Sequence, residues 1–471
     1  MEIGILFLFY PFYDKYSAKN RISIKYFCLS TYTNSPYIDK KMNISEKEQK
    51  QIFKILEEEI VPAEGCTEPI AIAFAASKAV EVLKKKPDTI RIFVSGNILK
   101  NAKSVIVPNS GGMGGIEVAA TMGALAGDAS KDLLVISNVT ENDMLDVRAL
   151  IDTGNVTLEV VLNNITLYVM IEVLAGEEKA SVEIKHTHTN ITKVTKNDEV
   201  LIDQPCNDAD FNSSLTDRSI LTIEKIVEMA NRIDIGLIAP LFEKVYQFNS
   251  RIAEEGLTKK YGVNIGACIQ ENIKKGIYGD DQRNRSASYA AAGSDARMGG
   301  CALPVMTTSG SGNQGMTASL PIIRYCIDQN RKKEEMYRAL MVSHLSTVHI
   351  KTNVGRLSAY CGVMTASAAV SGALVYLDGG TVQQVQNGII NTLGNVSGVI
   401  CDGANASCAS KIASGIYAAF DGAMLSQIGN VFTSSDGIVD ACCEETIQNV
   451  GTLAQQGMKG TDKTILDIMT K

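Results

Sequence analysis

A change of periodicity at about residue 215 constrains this chain more than any other feature. Before it, β-branched runs at 156–162, 166–174, 180–187 and 191–195 alternate between apolar and polar positions. The pairs Asn163-Asn164, Glu177-Glu178 and Asn197-Asp198 punctuate them, the pattern of an antiparallel meander. Upstream, 45–60, 69–86 and 115–126 read as helices, and 89–95, 104–107 and 133–137 as strands. Beyond 215 strand signals nearly vanish. Long Ala-, Ile-, Met- and Gly-rich segments such as 220–235, 238–255, 333–346 and 415–428 take over, several without a polar face, as buried helices require. The expected class is α+β: a mixed α/β domain with an antiparallel sheet over 42–216, then an all-helical domain over 217–471.

Residues 1–41 fit neither part. MEIGILFLFYPFY is apolar for only about a dozen residues, short of the roughly twenty of a membrane span, and it lacks the basic start of a signal peptide. We expect an extension outside the fold, with a weak interfacial anchor as the alternative. Met42 then opens an amphipathic helix with Ser45 as N-cap and Glu48 three residues on.

The net charge of −7 argues against non-specific nucleic-acid binding. Eleven Cys without a secretory signal point to a reducing, cytoplasmic setting where free thiols survive. A membrane partner is not expected, and the sequence leaves assembly into a homo-oligomer open.

Cys361, Cys401 and Cys408 all lie in small-residue segments of the helical part. Three thiolates so placed can hold three irons of a 4Fe–4S cluster and leave the fourth open to a substrate. Their spacing alone favours buried core thiols over metal ligands.

GCTEP (65–69) stands at a helix start, with Pro69 in the first turn. Free N–H groups and a positive dipole end suit a carboxylate there and would lower the pKa of Cys66; core packing of Cys66 beside a capping Thr67 or Glu68 is the alternative. SGSGNQG (309–315) has glycines for tight turns, with Ser309, Ser311, Asn313 and Gln314 as side-chain donors and acceptors. Apolar flanks put this loop inside the fold, where it suits an amino-acid carboxylate or ammonium. SGNILKNA (95–102) follows a strand and offers Asn97 to a ligand; Lys100 is expected at the surface. His186 and His188 alternate on an expected exposed strand face, with no third metal ligand evident in sequence. His349 and Lys351 are left without a role, and Cys206, Cys268, Cys301, Cys326, Cys442 and Cys443 are taken as structural.

GCTEP, SGNILKNA, SGSGNQG and CDGANASC (401–408) occur in that order. Together they resemble the L-cysteine desulfidase family, serine dehydratase-like proteins related to the iron–sulfur bacterial L-serine dehydratases. The resemblance runs from about Met42 to the C-terminus. It implies a 4Fe–4S cluster on Cys361, Cys401 and Cys408, and Cys66 as proton acceptor. Thr67, Glu68, Asn97, Ser309, Ser311, Asn313 and Gln314 become candidate substrate contacts. The implied reaction is β-elimination from L-cysteine to pyruvate, ammonia and sulfide. Iron–sulfur serine dehydratases carry a first motif rich in Ser and His where this chain has GCTEP, which favours cysteine over serine. Two rivals are weighed. A pyridoxal-phosphate lyase is suggested by Ser311-Gly312-Asn313 but finds no lysine in a matching context. A non-catalytic iron–sulfur sensor would leave two anion-binding loops unexplained.

Overall fold

Ser45 starts the first helix, α1 (Glu46–Glu59), by a reciprocal cap. Its Oγ accepts the Glu48 N–H at 3.3 Å, and the Glu48 carboxylate accepts the Ser45 N–H at 2.9 Å. The computed structural model describes residues 44–470 apart from 162–164, 198, 209–210 and 213–214. The extension expected over 1–41 therefore lies outside the described residues.

Among the described residues, eight strands follow from the β-branched runs and two short apolar pairs: β1 (Pro62–Ala63), β2 (Thr89–Ser95), β3 (Val156–Val161), β4 (Tyr168–Ala175), β5 (Glu178–Lys185), β6 (Ile191–Lys196), β7 (Glu199–Asp203) and β8 (Val305–Met306). Six form one sheet in the order β3-β2-β4-β5-β6-β7. From β2 through β7 every neighbour is antiparallel, as the alternation predicts; β3 is the exception and runs parallel to β2. Period-two burial gives this sheet one apolar face, with Ile90, Ile92 and Val94 from β2 and Val169, Ile171 and Val173 from β4. Helix α2 (Thr67–Leu83) covers it, and α4 (Ile116–Ala126) packs on α2; α3 (Gly96–Ala102) and α5 (Asp143–Asp152) complete this part.

Two expected strands are absent. Residues 104–107 supply only a single bridge, Ile106 to Gly114, and 133–137 form the end of a 3₁₀ helix (Ala129–Leu134) and the turn after it. Both are apolar runs of four or five residues, too short for periodicity to separate a strand from a buried loop. β7 escaped detection for the opposite reason: all five of its residues are exposed, so it shows no apolar alternation.

The rest is helical: α6 (Ile223–Arg232), α7 (Ile235–Thr258), α8 (Ile265–Lys274), α9 (Gln282–Met298), α10 (Gly312–Asp328), α11 (Lys333–Val354), α12 (Gly362–Leu377), α13 (Val382–Val396), α14 (Ser407–Gln427), α15 (Cys443–Thr452) and α16 (Lys459–Met469). α12 is buried along almost its whole length and packs against α10, α11, α13 and α14, the position its all-round apolar sequence demands. α1 joins this helical core through Ile52, Ile55 and Leu56. The chain is α+β. Among the described residues no helix is long and apolar enough to cross a membrane.

Candidate active site

The two-residue ladder of β1 with β8 sets the site. It pairs Pro62 with Met306 and Ala63 with Val305, so the segments leading to GCTEP and SGSGNQG run side by side. Thr67 Oγ1 then donates to the Gly310 carbonyl at 2.8 Å. Each loop ends in a helix. Cys66 is the N-cap residue of α2, and Ser311 caps α10, its Oγ accepting the Gln314 N–H at 3.4 Å. Two helix N-termini, each with unsatisfied N–H groups and a positive dipole end, open beside one another.

The three cysteines come from the other side. Cys361 caps α12 and Cys408 lies in the first turn of α14. A short antiparallel contact joins their approaches: the Cys361 N–H donates to the Val399 carbonyl at 3.2 Å, and the Cys401 N–H to the Ala359 carbonyl at 2.7 Å. Cys401 is held again by Lys100, whose Nζ donates to its carbonyl at 3.2 Å. Gly403 has φ +102°, and a Cβ there would lie 2.4 Å from the Lys100 carbonyl oxygen, so the loop closes this tightly only with glycine.

One cavity receives all of this. Cys66, Glu68, Ser311, Asn313 and Gln314 line it, and so do Cys361, Cys401 and Cys408. Three predicted contacts are placed elsewhere. Thr67 is turned onto Gly310; Ser309 is buried in the turn before Ser311 with φ +50°; Asn97 lines a separate cavity with Lys100 and Asp462.

Burial dominates the electrostatics. It pushes the Cys66 thiol up to about 12 despite the Arg297 guanidinium, which overturns the lowered value expected from the helix end alone. The dipole of an N-terminus is weak against complete removal of a thiolate from water. Cys361 is likewise pushed up to about 12, by burial and then by the charges of Cys401 and Cys408. Burial brings Lys351 down to about 8.

The donors suit an iron–sulfur group. Cys361, Cys401 and Cys408 are free thiols facing one cavity, and burial raises Cys361 and Cys408. Metal coordination offsets such a burden by taking the deprotonated sulfur as ligand. Lys351 faces the same cavity and supplies positive charge beside the thiols.

Several expectations need correction. Lys100 is not a surface lysine: it is 3% exposed and paired with Asp462 at 2.6 Å. His186 and His188 are buried beyond the end of β5, not on an exposed strand face. His188 approaches Glu68 at 3.8 Å. His186 lies with Cys206 and Asp208, their ligand atoms within 4.8 Å of one another, though Lys185 already meets Asp208 at 3.2 Å. His349 pairs with Glu444 at 2.5 Å in another cavity.

Sequence reasoning missed Arg297 and Arg356, which also line the cavity. A signal existed for Arg297: it is a lone cation in the small-residue helix segment YAAAGSDARMGG. Arg356 carries no such mark, and only the fold brings it to Glu59 at 2.6 Å.

The chain belongs to the serine dehydratase alpha chain family, whose sequence model matches residues 130–467. Relatives over nearly the full length include a UPF0597 protein of Fusobacterium nucleatum, 59% identical across 90% of this chain and 100% of the relative. UPF0597 proteins of Lachnoclostridium phytofermentans and Treponema denticola are 44% and 41% identical, across 89% and 91% of this chain and 99% and 100% of theirs.

Proposed function

We propose that this protein is a 4Fe–4S-dependent carbon–sulfur lyase that converts L-cysteine to pyruvate, ammonia and hydrogen sulfide in the cytoplasm. The observation that carries the reading is the convergence of Cys361, Cys401 and Cys408 on the cavity that also holds Cys66 and the N-terminus of α10. Cys361, Cys401 and Cys408 would hold the cluster, which when bound supplies an electrophilic iron for the β-sulfur.

The chain's own residues do the rest. The loops at 65–69 and 309–315 bind the amino acid through N–H groups and the side chains of Glu68, Ser311, Asn313 and Gln314. Cys66, once its own proton has passed to solvent, takes the α-proton on Sγ as the thiolate. The Cα–H electron pair becomes the Cα–Cβ double bond, and the C–S pair leaves with sulfur. Aminoacrylate then tautomerises, and one water hydrolyses the imine to pyruvate and ammonia. The burial that keeps the Cys66 thiol neutral also makes its thiolate a strong base once formed.

L-Serine is the second reading, favoured by the family's description as serine dehydratase alpha chain. Anaerobic reconstitution with iron and sulfide, then assay of sulfide and pyruvate from L-cysteine and of pyruvate from L-serine, separates the two. Pyruvate from serine alone would reverse the substrate assignment.

A further inference from the structure

Arg297 is a buried cation without an ion pair, and the Glu68 carboxylate in the same cavity acts on it only at longer range. It stands near the end of α9, 3% exposed, and faces the cavity. Two other arginines have a carboxylate: the buried Arg218 and the half-buried Arg356 both pair with Glu59, at 2.5 and 2.6 Å. Among the described residues no carboxylate lies within ion-pair distance of Arg297, and its Nε is buried without a hydrogen-bond partner. A desolvated guanidinium left this way is unfavourable unless a ligand completes it.

Its position says which ligand. A Cβ on Gly312 would lie 2.4 Å from Arg297 Nε and 2.8 Å from Cζ, so the guanidinium packs closely against the start of α10. The first turn of that 17-residue helix adds N–H groups with no acceptor inside the helix. Nearby, the amide oxygens of Gln314 and Asn101 line the same cavity, buried and unpartnered. A fork of donors and two free acceptors thus share one cavity. Lys351 is the alternative cation, but its charge partners are Cys401 and Cys361 rather than α10.

We propose that Arg297, with the first turn of α10, binds the α-carboxylate of the substrate, while Gln314 and Asn101 accept from its ammonium group. The inference rests on the reading of the cavity as an amino-acid site. It selects α-amino acids with a free carboxylate and rejects amines and amides, by the preference of a bidentate guanidinium for a planar anion.

The test uses L-alanine, which has both ends of an amino acid and no leaving group. Its binding to anaerobically reconstituted protein is measured by calorimetry beside that of L-alaninamide. Wild type should bind the amide far more weakly than L-alanine, a comparison that needs no variant. Arg297→Gln should weaken L-alanine binding about a hundredfold, as expected for a desolvated charge pair, and Arg297→Lys by about tenfold, keeping charge but losing the fork. Equal binding of alanine and its amide by wild type, or unchanged alanine binding in Arg297→Gln, overturns the proposal. If these ratios hold but neither L-cysteine nor L-serine is turned over, the carboxylate site stands and the proposed reaction falls. Turnover of L-cysteine with unchanged KM in Arg297→Gln does the reverse.

Discussion

Lys100 Nζ pairs with Asp462 Oδ1 at 2.6 Å and donates to the Cys401 carbonyl at 3.2 Å, so one buried ammonium ties α3, α16 and a candidate cluster ligand together. Replacing it breaks both links. Lys100→Met should cost roughly 3 kcal/mol, the lower end for a broken buried pair because Asp462 keeps some water. It should also loosen the Cys401 loop, so that the variant holds iron less tightly under chelator than wild type. Unchanged chelator resistance would make the lysine a purely structural tie.

The ligand assignment is tested one thiol at a time. Cys361→Ser, Cys401→Ser and Cys408→Ser should each lower iron content sharply, because an alcohol is a poor substitute for a thiolate on iron. Cys442→Ser should leave iron unchanged, since Cys442 is exposed at the start of α15, outside the cavity lining. Full iron retention in all three cavity variants would remove the assignment.

The base should show itself apart from the metal. Cys66→Ala should keep its iron yet lose about 10²–10⁴-fold in turnover, the usual worth of a positioned base. Because burial pushes the thiol up to about 12, the wild-type rate should rise with pH through the alkaline range. Iron loss in Cys66→Ala would turn Cys66 into a ligand, and α-proton exchange with solvent deuterium in Cys66→Ala at the rate of the wild type would exclude it as base.

Glu64 gives a stability prediction. Burial pushes its carboxyl up to about 7, although Asn109 Nδ2 donates to Glu64 Oε1 at 2.7 Å and works the other way. A folded-state value above the unfolded one means that the contribution is complete below pH 4.5 and fades as pH rises toward 7. The melting temperature of wild type should therefore fall relative to Glu64→Gln between those limits. Parallel pH profiles for the two proteins would show that Glu64 does not titrate in this range.

Arg297→Gln should melt no lower than wild type without ligand, because it removes a buried charge that has no ion pair. A large drop in melting temperature would mean that the guanidinium holds the fold together.

What the sequence made legible follows from how local each signal is. The strands β2, β4, β5 and β6 could be read because one face of each is buried, which writes period two into the residues. Cys66, Glu68, Ser311, Asn313 and Gln314 could be singled out because glycine-rich motifs at helix starts advertise free N–H groups. Lys100 and Arg356 could not be placed, since their partners Asp462 and Glu59 lie 362 and 297 residues away in sequence. The Cys66 thiol was misjudged for a related reason. A helix start is visible in sequence, whereas the depth of burial that outweighs it depends on packing from α9 and α14.

The central claim is tested most directly by sulfide release. The protein, reconstituted anaerobically and supplied with L-cysteine, should give sulfide and pyruvate in equal amounts, and exposure to air should abolish both. A fully iron-loaded protein that releases neither would contradict the account.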